Sequence, residues 1–125
     1  MAKILIVDDE PHIRLLLEQT LEDFEDDGVE LIMAENGAEA LEIIKAERPN
    51  LVFLDVMMPK MNGFDVCKAV KNELAMDDVY IVLLTAKGQE SEKHQGLDVG
   101  ADVYLTKPFN PDEIQAMTSN ILGLA

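Results

Sequence analysis

The sequence contains very little of several residue types on which common classes of protein depend. Its 125 residues include one cysteine, Cys67, two histidines and no tryptophan. A single cysteine excludes an intrachain disulfide, and nothing else in the sequence indicates secretion. The histidines, His12 and His94, lie far apart and have no partner cysteines, so no zinc pattern exists. Cys67 is expected to be an unreactive core residue.

Basic residues and long hydrophobic runs are also scarce. The chain has 10 basic against 25 acidic residues, and its net charge of −15 argues against direct binding of nucleic acid or an anionic membrane. No apolar run approaches the roughly 20 residues of a membrane span, and residues 4–7 are too short for a signal-peptide core. We therefore expect a protein of the cytoplasm whose acidic groups suit a metal cation or a basic partner.

What the sequence does contain is a regular alternation of apolar strands and amphipathic helices. Hydrophobic residues make up 48% and charged residues 28%, which is typical of one globular domain, here residues 1–125. Short apolar runs predict five strands, at residues 3–7, 29–34, 51–54, 79–84 and 103–105. A helix is predicted after each strand, with these inward-facing residues: Ile13, Leu16, Leu17, Leu21 and Phe24; Ala40, Leu41 and Ile44; Val66, Cys67, Val70 and, as a further candidate, Leu74; Leu97; and Ile114, Met117, Ile121 and Leu122.

This alternation, with short connections, predicts an α/β fold built on a doubly wound parallel sheet. The expected strand order is 2-1-3-4-5, a flavodoxin-like topology with its switch point between the first and third strands. The fourth helix, residues 89–99, has a weak apolar stripe and glycines in and around it, so it should be the least stable helix. Ligands of such sheets bind at the carboxyl ends of the strands.

Polar residues stand at those carboxyl ends. Asp8 and Asp9 follow the first strand, Asp55 the third and Thr85 the fourth, while Lys107 comes shortly after the fifth. In the expected order they converge, and three carboxylates in one crevice need a cation. Oxygen-only ligands favour Mg²⁺, or Mn²⁺ in its place. The ion would link Asp9 and Asp55, with Asp8 acting directly or through water, and a carboxylate such as Asp55 can serve as the nucleophile for a phosphoryl group.

Each of these residues also has a plainer explanation when it is taken alone. Asp8 and Asp9 would complement the positive end of the first helix, and Asp55 would accept hydrogen bonds from nearby backbone N–H groups. Thr85 would be a β-branched strand residue and Lys107 a solvated surface lysine. The functional interpretation is preferred because all five coincide at adjacent strand ends.

As a set, Asp8-Asp9, Asp55, Thr85 and Lys107-Pro108 resemble the receiver domain of bacterial two-component response regulators, and the resemblance covers the whole chain. It implies a chemotaxis-receiver-like phosphorelay protein in which Asp55 accepts a phosphoryl group from a histidine kinase or a histidine phosphotransfer protein. Such a domain catalyses its own phosphoryl transfer and dephosphorylation without being a turnover enzyme in the usual sense. It is expected to act on a downstream protein target, as a monomer or as a dimer once phosphorylated.

The resemblance also implies a set of metal ligands. Asp9, Asp55 and the backbone carbonyl of Met57 would ligate Mg²⁺, with Asp8 in support. Positions 57 and 87 vary in the family and tune the lifetime of the phosphoryl group, so Met57 and Lys87 leave that lifetime unpredicted. The family's loop after the phosphorylated residue is matched here by Met58-Pro59 and Gly63.

Phosphorylation is implied to switch a surface. Lys107 would pair with the acyl phosphate, and Thr85 would bond a phosphoryl oxygen and shift toward it. Tyr104 would then turn inward into the space left by Thr85. The face built from the fourth helix, fifth strand and fifth helix would change, and the Lys107-Pro108 peptide bond would be cis.

Three rival functions have to be weighed. A flavodoxin-like cofactor binder would need a hydroxyl- and glycine-rich phosphate cradle where this chain has the acidic residues 8–10. A phosphatase of the haloacid dehalogenase type would need a second acid two residues after Asp55, where Met57 stands. A receiver-fold protein-binding module that is never phosphorylated stays open as the alternative, although every residue that phosphorylation requires is present.

Overall fold

A parallel sheet covered by helices on both faces is the framework of the structure, a computed structural model that describes residues 2–58, 60–86 and 100–123. The strands are β1 (Lys3–Val7), β2 (Glu30–Ala34), β3 (Leu51–Asp55), β4 (Tyr80–Ala86) and β5 (Val103–Lys107). They lie in the order β2-β1-β3-β4-β5, each parallel to its neighbours. The predicted doubly wound α/β fold and its strand order are therefore confirmed.

Four α-helices lie within the described residues: α1 (Pro11–Leu21), α2 (Gly37–Glu47), α3 (Gly63–Lys68) and α4 (Pro111–Leu122). The helix α4 is the one that the sequence predicts as the fifth. The predicted fourth helix, residues 89–99, lies outside the described residues, as do Pro59, Lys87 and His94. In the part of the chain that the structure describes, no helix has the length and apolar character that crossing a membrane requires.

The sheet is buried on both faces, which is why its strands read as nearly continuous apolar runs. Successive strand residues point to opposite faces, so Val52 joins α2 and α3 in one hydrophobic cluster while Phe53 joins α1 and α4 in the other. Complete burial of such side chains stabilises the fold by about 1.5–3 kcal/mol each. Cys67 is fully buried in the first cluster, and burial raises the pKa of its thiol to about 12, as expected of an unreactive core residue.

The prediction that Leu16 and Leu74 face inward is wrong, since they expose 37% and 41% of their surfaces. In α1 the buried positions are Leu17, Thr20 and Leu21, so Leu16 lies at the solvent border of the helix. After α3 the chain widens into a π-helical turn, Ala69–Glu73, which rotates the following residue Leu74 away from the inner face. Neither wider turns nor helix rotation can be read from apolar spacing alone.

Asparagine side chains start three of the helices. The Oδ1 atoms of Asn36, Asn62 and Asn110 each accept a backbone N–H of the first turn, at 2.9 Å in all three cases. Such caps satisfy donors that have no partner within the helix. The predicted start of α4, with Asn110 as the cap and Pro111 at its first position, is confirmed. These caps fix where α2, α3 and α4 begin relative to the carboxyl edge of the sheet.

Two glycines let the loop after β3 fold back against its surroundings. A Cβ atom at Gly37 would collide with the backbone carbonyl of Met61, and a Cβ atom at Gly63 would collide with the backbone carbonyl of Asp55. The N–H of Gly63 donates to the Val56 carbonyl at 2.9 Å, which closes the loop. The loop therefore packs tightly on the first turn of α2 because residue 37 has no side chain.

We predict that Gly37→Ala lowers the free energy of unfolding by about 1–3 kcal/mol, since the added methyl group must displace backbone rather than a flexible side chain. Urea denaturation measures the change, with Ala38→Ser at the exposed neighbouring position as the control. Alanine is the better helix former by about 1 kcal/mol. A Gly37→Ala variant more stable than wild type would therefore mean that the backbone at Met61 moves away from the added methyl group without loss of stability.

Candidate functional site

The register of the sheet brings two buried carboxylates side by side. Val7 of β1 lies opposite Leu54 of β3, so the next residues, Asp8 and Asp55, are level at the carboxyl edge. Asp8 exposes 0% and Asp55 only 4% of its surface. Asp9, one residue further along the loop, is exposed to solvent. The sequence prediction that these acids converge is confirmed in geometry: one oxygen from each of the three lies within 4.8 Å of the others.

Lys107 is the cation that lies directly between the two buried acids. Its Nζ is 2.8 Å from Oδ2 of Asp8 and 3.2 Å from Oδ1 of Asp55, while Glu10 is further away at 3.9 Å. Burial lowers the pKa of Lys107, but the hydrogen bond to Asp8 and the charges of Asp55 and Asp8 outweigh it, so the pKa is raised. The lysine is therefore charged and held by ion pairs rather than solvated. Its bond to Pro108 is cis, as the resemblance implied.

The ionised form of Asp55 is disfavoured in this pocket. Burial raises the pKa of its carboxyl from 3.8 to about 6, and the charge of Asp8 adds to the rise. Lys107 opposes both effects through its charge and its hydrogen bond, and Asp9 contributes a smaller rise. One lysine thus offsets only part of the repulsion among the acids. The three carboxylates offer the hard oxygen ligands of Mg²⁺ or Mn²⁺, so the residues present fit a divalent cation.

Thr85 and Tyr104 lie on the neighbouring strands β4 and β5. Thr85 is buried, with 2% of its surface exposed. Tyr104 of β5 is level with Leu83, two residues before Thr85 in β4, so both side chains belong to the same face of the sheet. Tyr104 is half-buried and packs against the first hydrophobic cluster, and its hydroxyl oxygen is buried. A change at Thr85 therefore has a short path to Tyr104.

The side chain of Met57, two residues after Asp55, is exposed, with 60% of the residue's surface accessible. The expected part of its backbone carbonyl as a metal ligand stays a prediction.

Sequence reasoning missed Arg14, which lies behind the acidic loop. Its Nη1 donates to the backbone carbonyl of Asp8 at 2.7 Å, and its Nη2 lies 3.5 Å from Oε1 of Glu35. The N–H of Glu10 donates to Oδ1 of Asp8 at 2.9 Å. Nothing in the sequence singles out this arginine, because it contacts a backbone oxygen, and every residue type has one.

Comparison with known proteins agrees with this fold. The family model for the response regulator receiver domain matches residues 4–119. The chain therefore belongs to the response regulator receiver domain family, as the resemblance of its motifs indicated.

Individual relatives include transcriptional regulators. The alkaline phosphatase synthesis transcriptional regulatory protein PhoP of Bacillus subtilis is 46% identical over 120 residues, which cover 96% of this chain and 48% of that protein. The phosphate regulon transcriptional regulatory protein PhoB of Pseudomonas aeruginosa is 43% identical over 119 residues, covering 95% and 51%. The chain spans about half the length of the curated relatives it matches. The solved structure of the chemotaxis response regulator CheY4 of Vibrio cholerae has a TM-score of 0.83 at 36% identity, covering 97% of this chain and 98% of that one.

The raised pKa of Asp55 predicts a pH dependence of stability. A carboxyl whose pKa is higher in the folded than in the unfolded state contributes stability below pH 3.8, and this contribution is lost as pH rises through about 6. An asparagine stays neutral, so Asp55→Asn should exceed wild type in unfolding free energy by about 1–3 kcal/mol above pH 6 in metal-free buffer. Urea denaturation at several pH values measures the difference.

The matched control is Asp77→Asn, which makes the same charge change on an exposed loop. The difference between Asp55→Asn and wild type should shrink as pH falls toward 4. An advantage of Asp55→Asn that is constant across this range, or a loss of stability at neutral pH, would contradict the burial of an ionised Asp55.

Proposed function

We propose that this domain accepts a phosphoryl group on Asp55 from a phosphohistidine donor, and that the modified Asp55 switches a partner-binding surface. The observation that carries the proposal is a nearly buried carboxylate at the switch-point edge of the sheet, with Nζ of Lys107 at 3.2 Å. Ligands of doubly wound sheets bind at this edge. The membership of the receiver family supports the same chemistry.

The transfer is a displacement at phosphorus. A carboxylate oxygen of Asp55 attacks the phosphorus atom of the phosphoimidazole, and the phosphorus–nitrogen bond breaks with its electron pair left on the imidazole nitrogen. The product is an acyl phosphate on Asp55 and an unphosphorylated donor histidine. Lys107 already lies beside the attacking carboxylate, so its positive charge is available where negative charge accumulates. Phosphoryl transfer needs mainly such positioning and charge neutralisation.

Mg²⁺, or Mn²⁺ in its place, would be held by Asp9, Asp55 and the backbone carbonyl of Met57, with Asp8 in support. When bound, the ion supplies positive charge to the phosphoryl oxygens. Both oxygens of Asp8 already accept hydrogen bonds, one from Glu10 N and one from Lys107 Nζ. This arrangement favours a supporting part for Asp8, because its carboxylate also orients the lysine and the loop.

The response to phosphorylation would pass through Thr85 to Tyr104. The phosphoryl group would attract the hydroxyl of Thr85, which is buried at the carboxyl end of β4. A displaced Thr85 changes the space available to Tyr104 on the same face of the sheet. Part of the surface that we expect to change, β5 and α4, lies within the described residues. Phosphorylation would then bias a conformational equilibrium that already exists in the free protein.

The donor would be a histidine kinase or a histidine phosphotransfer protein. The relatives PhoP and PhoB are named as transcriptional regulators and are about twice the length of this chain. A downstream protein target, or an output segment of the same gene product, would read the switched surface. The net charge of −15 argues that the receiver itself does not contact nucleic acid. A monomer, or a dimer on phosphorylation, is consistent with this scheme.

Asp55→Asn should abolish phosphate incorporation while leaving the fold intact, because the amide lacks the nucleophilic oxygen. The test is mass spectrometry of the intact chain after incubation with acetyl phosphate and Mg²⁺. Wild type should gain the mass of one phosphoryl group, and hydroxylamine should remove it, as it does from an acyl phosphate.

The exposed-loop variant Asp77→Asn should be labelled like wild type. Label on Asp55→Asn would assign the nucleophile to another residue. A wild-type chain that binds Mg²⁺ yet takes no label would instead favour the protein-binding module that is never phosphorylated.

Lys107→Ala should leave divalent cation binding largely intact, since the carboxylates remain, yet weaken the conformational response to a phosphoryl group. NMR of the amides in β5 and α4, with and without beryllium fluoride and Mg²⁺, measures that response. Lys68→Ala removes an exposed lysine of α3 and serves as the control. Wild-type shifts in Lys107→Ala would remove Lys107 from the switch.

A further inference from the structure

We propose that Arg14 is a positioning residue of the acid pocket: it holds the loop of residues 8–10 from behind and thereby sets where the carboxylate of Asp9 lies. The inference rests on the proposed function, because the proposed function is what assigns Asp9 to the metal site. It goes beyond that function by adding a residue that touches neither the phosphoryl group nor the cation.

The contacts of Arg14 join two loops at the carboxyl edge of the sheet. Its Nη1 donates to the Asp8 carbonyl at 2.7 Å, which is a short, charge-assisted hydrogen bond to the backbone of the acidic loop. Its Nη2 lies 3.5 Å from Oε1 of Glu35, the residue after β2. The Arg14 side chain is mostly buried, with 15% of it exposed, so it has little freedom to leave these two acceptors.

The rest of the loop is held through Asp8. The carboxylate of Asp8 accepts the N–H of Glu10 at 2.9 Å and Nζ of Lys107 at 2.8 Å. Together with the bond from Arg14, these contacts fix Asp8 at its carbonyl and at both carboxylate oxygens. Asp9 stands between Asp8 and Glu10 with an exposed side chain, so the backbone on either side determines its direction. Loss of the hydrogen bond from Arg14 would loosen the backbone of Asp8 and so the direction of the Asp9 carboxylate.

The sign of the effect separates positioning from simple electrostatics. Removal of a positive charge beside an acidic pocket should strengthen Mg²⁺ binding if charge alone decides. Loss of positioning should weaken it, because a ligand that must be ordered on binding costs affinity. The arginine fork also contacts two acceptors at once, which the single nitrogen of lysine cannot do in the same geometry.

Isothermal titration of the full chain with Mg²⁺ alone tests the proposal, in parallel with NMR amide exchange. Arg14→Gln should weaken Mg²⁺ binding roughly tenfold, the size of effect seen when residues behind a metal ligand are removed. The N–H of Glu10 should exchange faster in this variant, while that of Glu39, bonded to Asn36, should not change. Arg14→Lys keeps the charge but has a single donor nitrogen, so the Mg²⁺ affinity of this variant should lie between those of Arg14→Gln and wild type.

Arg48→Gln is the matched control. Arg48 forms an exposed ion pair with Asp78 at 2.9 Å, at the end of α2 that is remote from the acid pocket, and its removal should leave Mg²⁺ binding unchanged. Binding in Arg14→Gln that equals or exceeds wild type would overturn the proposal, as would an equal loss in Arg48→Gln. Should Arg14→Gln not fold, the same criterion applies to Arg14→Lys. A wild-type chain that binds Mg²⁺ but takes no phosphoryl label would refute the proposed function, and the titration would still decide on Arg14.

Discussion

Two carboxylates buried next to each other are the constraint on which the rest of this structure depends. Asp8 and Asp55 are level at the switch-point edge because β1 and β3 are neighbours in register. Their repulsion is tolerable because Lys107, 99 and 52 residues away in sequence, reaches both of them. The lysine comes from β5, so the pocket is neutralised only when β1, β3, β4 and β5 have paired. The site therefore depends on contacts between strands that lie far apart in the sequence.

Lys107 neutralises the negative charge of the pocket only in part, since its one ammonium group faces more than one carboxylate. The pKa of Asp55 remains raised to about 6, mainly through burial. Under the proposed function, a pocket with this residual repulsion would attract a divalent cation and would then tolerate an anionic phosphoryl group beside the carboxylates. Lys107 is shared between Asp8 and Asp55. A phosphoryl group on Asp55 would therefore compete for the lysine and, under the proposed function, shift the conformational equilibrium of the domain.

Most of the fold could be predicted from the sequence, because buried parallel strands and capped helices carry periodic signals. The convergence of Asp8, Asp9 and Asp55 followed from strand order alone. The errors have physical causes. Leu74 faces outward because a π-helical turn changes the phase of the helix. Leu16 lies at the solvent border because α1 is rotated so that Leu17, Thr20 and Leu21 are its buried residues. Arg14 was not predicted, since a side chain that binds a backbone carbonyl leaves no pattern in the sequence.

The pocket thus has two kinds of residue, which act on different atoms. Under the proposed function, Asp55, Lys107 and Thr85 would offer side-chain groups to a phosphoryl group, so their types are constrained by chemistry. Arg14 donates to the backbone carbonyl of Asp8, and Gly37 and Gly63, the first residues of α2 and α3, leave room for the backbone carbonyls of Met61 and Asp55. The types of these three residues are constrained by shape and reach. Substitution of the first kind removes a reacting or charged group. Substitution of the second kind leaves every such group present but displaced, so its signature is a changed affinity or geometry with the same chemistry. That difference is what allows positioning to be separated from catalysis in this site.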